Sequence, residues 1–319
     1  MALLSVIMPI YNHGHLLNRA VTAIVAQSLR PDELFLIDDG STDETAEIIK
    51  DLADLYSFIT PIFLAENIGA EAAIKHVWDQ VTGEYIYFAA ADDVVCGDFF
   101  STSTSLLENH PEISFCTALT DEITETIPPL SSPSPKIITP QQAAEMICQH
   151  GTWFRCNTAI YRTKPLKSLG GIDPDLGPFG DGFICMHLAV KTGCAFVPEV
   201  YCKVNVDHAS TSRVFNENPM ALVAIFRKAE NKMIDELRSV FPADVIDAWG
   251  RQWRLTLAKR LLQTTAKDWD GCSRVLIPPL NQLDIYVLRL LAQISKRASN
   301  AYLLLRLIPS QFFQRVFRH

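Results

Sequence analysis

The sequence predicts an α/β fold, a mostly parallel sheet flanked by helices and followed by a helical extension at the carboxyl end. Three observations carry that prediction. Short apolar runs alternate with stretches of helical periodicity through the first ninety or so residues, in the order β-α-β-α-β-α-β, which calls for parallel strands and right-handed crossovers. Two of those runs stop in paired acids, Asp38-Asp39 and Asp92-Asp93, and the carboxyl ends of strands are where open α/β sheets bind their ligands. From about residue 216 the apolar spacing becomes helical, so the division expected is 1–215 for the sheet domain and 216–319 for the extension.

Taken in order, residues 3–8 form an apolar run ended by Pro9, as a buried first strand would be. Leu16, Leu17, Ala20, Val21, Ile24 and Val25 then recur at helical spacing until Arg30 and Pro31 close the helix. Residues 34–37 make a second strand, ending in Asp38, Asp39 and Gly40. Ser41 to Glu44 fits a capping box opening a helix through residue 55. Residues 58–64 read as a third strand, Asn67-Ile68-Gly69 leads into a helix ending near Gln80, and residues 85–89 are the fourth strand, rich in aromatic and β-branched side chains. A helix follows Asp98, and residues 113–118 are another strand. The five prolines and several serines of 121–140 mark a long loop, of the kind that often carries function. Thr139-Pro140-Gln141-Gln142 combines a capping box with proline at the first helical position. Paired Gly170 and Gly171 permit a tight turn at positive φ, and a helix over 183–191 begins just past Asp181.

Bulk composition narrows the class of protein. A chain of 319 residues with 48% hydrophobic and 20% charged content supports a packed core. Its eight cysteines contain no C-x-x-C pair, which suggests neither a zinc site nor a disulfide framework but buried reduced thiols in a cytosolic protein. The amino terminus lacks a basic leader segment and no run of eighteen apolar residues occurs, so neither a secretory signal nor a spanning helix is expected. Net charge is −8, yet from Arg274 onward seven basic residues face Asp284 alone. The acidic body makes nucleic acid a poor partner, while the basic tail suits an anionic surface. No G-x-G-x-x-G follows the first strand and no G-x-x-x-x-G-K occurs, so the phosphate cradles of dinucleotide-binding and P-loop proteins are absent.

What remains is carboxylate chemistry. Hard oxygens at Asp92 and Asp93 suit Mg²⁺ or Mn²⁺ with positions left for a substrate's phosphates; the alternative is that the pair simply opens a solvated turn. Four motifs in order, Ser5-Val6-Ile7-Met8-Pro9-Ile10-Tyr11-Asn12, Ile37-Asp38-Asp39-Gly40-Ser41-Thr42-Asp43, Glu66-Asn67-Ile68-Gly69 and Ala91-Asp92-Asp93, resemble those of glycosyltransferase family 2 proteins with the Rossmann-like GT-A fold. That resemblance implies inverting sugar transfer from a nucleotide diphosphate sugar, with a uridine donor expected, to a hydroxyl of a glycan or lipid-linked saccharide, with Mg²⁺ or Mn²⁺.

Carried over by position, Pro9, Tyr11, Asn12, Asp39, Gly69 and Asp92 would bind the donor, Asp39 reading an N–H of the base and Pro9 with Tyr11 lining its pocket. Tyr11 packed on the first helix and Asp38 in a structural turn are the plainer alternatives. Asp92 would hold the metal, Asp93 assisting or held by backbone donors, and His208 is a further candidate ligand. The segment from Gly170 to Asp181 is similar to the family's G-G-F-D…E-D stretch, which makes Asp181 the expected catalytic base; a helix N-cap is its alternative role. Three departures stand out: Ala90 where an acid is usual, Gly180 in place of Glu, and Ile74-Lys75 in place of Arg-Asn. They support a second reading, a degenerate homologue that binds nucleotide sugar or a partner without turnover. Trp153 and Phe154 suggest either an acceptor shelf or a core pair. The tail, residues 280–319, reads as a packed appendage, a homodimer contact, or a basic amphipathic helix at the inner membrane face of a cytoplasmic, peripheral protein.

Overall fold

The computed structural model describes residues 3–121, 130–154, 156–205, 219–235 and 237–263, with single positions 287, 290 and 302. Its first unit takes in 1–207 with 239–242, and its second 208–238 with 243–319. In the first, β1 (Leu4–Ile10), α1 (Gly14–Val25), β2 (Glu33–Asp38), α2 (Thr45–Leu55), β3 (Ile59–Phe63), α3 (Ala70–His76) and β4 (Tyr85–Phe88) alternate as the apolar pattern requires. Then come β5 (Val94–Val95), α4 (Phe99–Asn109), β6 (Phe115–Thr120), β7 (Lys136–Ile138), α5 (Pro140–His150), β8 (Ile160–Arg162), α6 (Thr163–Ser168), α7 (Gly180–Thr192) and β9 (Cys194–Lys203).

These strands join one sheet in the order β3-β2-β1-β4-β8-β6-β9-β5, with β7 beside β9. The half formed by β1 to β4 is wholly parallel. The other half is mixed: β8 runs antiparallel between β4 and β6, while β6 and β9 are parallel. Every residue of β1 except Pro9 is buried, so the strand is central and its apolar run is continuous rather than alternating. Leu17, Val21 and Ile24 of α1 pack with Val6, Met8, Leu34, Leu36, Tyr85, Tyr87 and Phe99 in one core cluster. At the opposite edge from the acid turns, Glu33 accepts from Ser5 Oγ, Thr82 N at 2.8 Å and Thr82 Oγ1 at 3.1 Å, clamping the amino ends of β1, β2 and β4.

Three elements differ from their sequence-based expectation. The side chains of Ser41 to Glu44 form no capping box: Ser41 Oγ accepts from Asn12 N, and Asp43 accepts from Thr45 N and Gly14 N, so long-range partners outcompete the local one. The proline-rich 121–140 stretch is not loop throughout, because Lys136–Ile138 pairs with β9. The helix expected from 183 begins at Gly180. Thr139 does form its capping box with Gln142.

The second unit contains α8 (Pro219–Asp235) and α9 (Ala243–Gln263). Phe226 stacks on Trp249 with ring centres 5.3 Å apart, and Arg254 pairs with Glu230 between the two helices. The tail assigned to a membrane surface or dimer lies almost wholly outside the described residues. No helix among those described is long and apolar enough to cross a membrane.

Candidate active site

The carboxyl ends of β1 and β2 are tied to each other through side chains. Asn12, at φ 54°, accepts from Thr42 N at 2.8 Å while its own N–H donates to Ser41 Oγ at 2.9 Å. Asp38 accepts from Ser41 N at 2.9 Å, so it serves the structural turn. Asp39, only 2% exposed, accepts from Ile68 N at 2.8 Å with Oδ1 and from Gly69 N at 2.9 Å with Oδ2. The acid thus draws the loop before α3 onto the end of β2. An ionised carboxylate offers about four lone pairs, so two acceptor positions on Asp39 are left over. Gly40 permits this approach: a Cβ there would lie 2.5 Å from the backbone of Glu66. Pro9 is half-buried, whereas Tyr11 is 43% exposed.

Beyond β4 the two acids diverge in role. Asp93 is buried, and its oxygens accept from Asn157 Nδ2 at 3.0 Å and Asn205 N at 3.1 Å. Burial raises its carboxyl above the ordinary range and the Asp92 charge adds to that, while the Asn157, Asn205 and Cys202 hydrogen bonds oppose it. Asp92 is half-buried, and its carbonyl accepts from Arg19 Nη2 at 2.9 Å. Of the pair, Asp93 has its oxygens engaged within the protein, while no hydrogen bond to the Asp92 carboxylate occurs among the described residues. No group of three His, Cys, Asp or Glu that could hold a metal exists among the described residues, and His208 lies outside them. One carboxylate still fits Mg²⁺ or Mn²⁺, since such ions commonly take one or two protein oxygens and complete their shell with phosphate and water.

Asp181 is not an N-cap; Phe179 holds that position and Asp181 lies in the first turn of α7. It is exposed, yet the protein mass around it raises its carboxyl, against the lowering effect of hydrogen bonds from Gly182 N and the Cys156 thiol. Cys156 opens the 3₁₀ turn Cys156–Thr158, whose three side chains tie three places together. Cys156 Sγ lies 3.9 Å from Cys185 Sγ of α7, Asn157 holds Asp93, and Thr158 Oγ1 donates to Ala118 O of β6 at 2.8 Å. The acid turn after β4 and the candidate base on α7 thus share a support, although 88 positions separate Asp93 from Asp181 in the chain.

Other expected participants fall elsewhere. Trp153 and Phe154 are 7% and 5% exposed, with ring centres 4.5 Å apart, so they are a core pair. Ile74 is buried beneath α3 and Lys75 is exposed on it, which accounts for an apolar residue where the family places Arg. Gly171, at φ 74°, lies against Trp78, and Asp173 accepts from Asp175 N to shape the loop before α7. Sequence reasoning missed Arg19, Asn157 and Asn205. Their contacts with the acids cross long stretches of chain and leave no local pattern.

The family model described as "Glycosyl transferase family 2" matches residues 5–170, just over half of the chain. An "Uncharacterized glycosyltransferase" of Haemophilus influenzae is 29% identical over 176 residues, which cover 53% of this chain and 66% of that protein. The chain spans 33–66% of the length of several such curated relatives. S. aureus TarS 1-349, solved in complex with UDP-GlcNAc, aligns over 99% of this chain and 93% of its own with a TM-score of 0.66 and 14% identity. The mannosyltransferase PcManGT from Pyrobaculum calidifontis, in complex with GDP-Man and Mn²⁺, aligns over 96% and 86% with a TM-score of 0.62 and 18% identity. At those identities the likeness is one of fold, and the fold is GT-A.

Proposed function

As the chain belongs to glycosyltransferase family 2, we propose that it transfers a sugar, with inversion, from a nucleotide diphosphate donor to a hydroxyl of a glycan or lipid-linked saccharide. The catalytic domain in this reading is 1–215, with 216–319 as its helical extension. One observation supports it: α7, which carries the exposed Asp181, and the acid turn of Asp92, through its neighbour Asp93, are both met by the one turn Cys156–Thr158. Asp181 takes the acceptor proton as the hydroxyl attacks the anomeric carbon, a role worth ~10²–10⁴-fold. Its raised pKa brings it nearer to operating pH and makes it a better base than a fully solvated aspartate. Asp39 holds Ile68 and Gly69 as one wall of the base pocket and has lone pairs left for a base N–H; Pro9, Tyr11 and Asn12 form the opposite side. Asp92 would hold Mg²⁺ or Mn²⁺ together with the diphosphate, offsetting the charge that develops on the leaving group. A lipid-linked acceptor would bring the protein to the cytoplasmic membrane face, and residues 280–319 supply the basic segment for that contact.

UDP is the donor nucleotide expected from Asp39, which suits the N–H of a uracil edge. Titration calorimetry with UDP and GDP, with and without Mn²⁺, tests the site. Metal-dependent binding lost in Asp92→Ala, and transfer lost in Asp181→Asn with binding intact, is the expected result. Silence with every nucleotide would overturn the donor-site assignment. A degenerate homologue is the second reading, favoured by the internal engagement of Asp93 and by Ala90, which leave Asp92 as the acid facing the ligand. Retained nucleotide binding with neither transfer nor donor hydrolysis would select it.

A further inference from the structure

We propose that Arg19 is a positioning residue for Asp92, its guanidinium holding the main-chain carbonyl of that residue from α1. The inference rests on Asp92 being the acid that meets the donor diphosphate and its metal, and deepens that reading.

The acid turn leaves the sheet at a point the sequence dictates. β1 and β4 pair in parallel up to Ile7 and Phe88, and the last bond between them runs from Ala89 N to Ile7 O at 2.9 Å. The next in that pattern would run from the N–H of residue 9 to Ala89 O, but Pro9 has none to give. Among the described residues, no backbone donor reaches the Asp92 carbonyl. A side chain does: Arg19 Nη2 donates to it at 2.9 Å, across 73 positions of chain.

α1 is a firm base for that contact, because its Leu17, Ala20, Val21 and Ile24 are buried in the core cluster. Just past its end, Gln27, 7% exposed, accepts from Phe100 N at 3.1 Å, a cap that the side chain of Asp98 does not give α4. Ser28 Oγ lies 3.0 Å from Ser101 Oγ. Residues 19–28 thus hold the chain at 92, 100 and 101, and only the Arg19 contact falls on the acid turn.

The planar peptide unit converts that contact into a direction. The Asp92 carbonyl and the Asp93 N–H share one plane, so holding the carbonyl restricts ψ of Asp92 and φ of Asp93. Asp93 is fixed from the other side, its carboxylate accepting from Asn157 Nδ2 and Asn205 N. Held between these supports, Asp92 carries its own carboxylate off the chain in one direction. Charge alone would act the opposite way: a guanidinium beside a cation site repels the cation, so its removal would tighten binding.

The test has two readouts in the full chain. Asp-Asp occurs only at 38–39 and 92–93, so aspartate labelled with ¹³C at the carbonyl and ¹⁵N gives two carbonyl–amide correlations, and Asp39→Asn, by removing the first, assigns the second. Arg19→Met is expected to shift the Asp92 carbonyl signal without any ligand. It should also weaken Mn²⁺ binding in the presence of UDP about tenfold, measured by electron paramagnetic resonance, and Arg19→Lys, which keeps a donor, should lose less. Ser28→Ala removes another tie from the same region and should change neither. An unmoved carbonyl signal in Arg19→Met, Mn²⁺ affinity unchanged or raised in it while Asp92→Ala abolishes binding, or equal effects in Ser28→Ala would overturn the proposal. Mn²⁺ binding that survives Asp92→Ala would instead overturn the donor-site reading, and the ligand-free carbonyl signal would still decide whether Arg19 holds Asp92.

Discussion

Replacing Asn157 by alanine removes the side-chain amide that donates to Asp93 Oδ2 at 3.0 Å. Asp93 is 8% exposed, so water cannot fully take the place of that donor. A hydrogen bond to a charged group contributes about 1.5–3 kcal/mol, and a loss of ~2 kcal/mol is the central expectation. For a domain of roughly 200 residues that lowers the unfolding midpoint by about 4–8 °C. The loss must depend on pH, because only the ionised carboxylate needs the donor. Asp93 already has a folded pKa above its ordinary 3.8, through burial first and then the Asp92 charge. The folded state therefore holds more protons than the unfolded one between those two values, and Asp93 lowers stability as pH rises through that window. Asn157→Ala raises the folded value further and widens the window upward. Thermal melts at about pH 4.5 and about pH 7.5 should show a small loss at the lower pH and the larger one at the higher. Equal losses at both, or none, would refute an ionised Asp93 paired with Asn157.

Two more substitutions probe the donor side and the turn before α7. Asp39→Asn leaves one oxygen to serve two backbone N–H groups, its nitrogen facing the other, so it should cost about 2 kcal/mol in urea unfolding and weaken nucleotide binding in the same protein. Gly171→Ala meets both a positive φ of 74° and a Cβ position 2.6 Å from the Trp78 ring, so a loss of roughly 1–3 kcal/mol by denaturant titration is expected, with nucleotide affinity unchanged in the folded fraction.

The architecture of β1 to β4 was legible because burial on both faces forces continuous apolar runs, and because parallel strands need helices between them. Asp39 and Asp92 stood out for a related reason, being polar residues placed where an apolar strand ends. The mixed half of the sheet was not legible in this way. Nothing in Ile160–Arg162 announces that it inserts between β4 and β6, since pairing partners are set by tertiary register and not by local periodicity. Ser41 to Glu44 shows the same limit: the local pattern fits a cap, but Asn12 and Gly14, about thirty residues away, supply competing partners. Asn157 is the plainest case. Nothing in its local sequence marks it, and its partner is an acid, 64 positions away, that only the fold brings close.

If Asp92 holds the metal as proposed, the acid turn offers it a single carboxylate. With Ala90 unable to ligate and Asp93 engaged by Asn157 and Asn205, an ion at Asp92 has one carboxylate from that turn and must fill its remaining positions with diphosphate oxygens and water. Mn²⁺ should therefore bind weakly alone and much more tightly once UDP is present. Linkage makes the effect reciprocal, so the factor by which UDP tightens Mn²⁺ must equal the factor by which Mn²⁺ tightens UDP, of the order of 5–150-fold for a coupling of 1–3 kcal/mol. Free Mn²⁺ measured by electron paramagnetic resonance, with and without UDP, gives the first factor, and calorimetry gives the second. Asp92→Ala should bring both close to one. Tight Mn²⁺ binding without nucleotide would contradict a one-carboxylate site, and its loss on replacing His208 would identify the missing ligand.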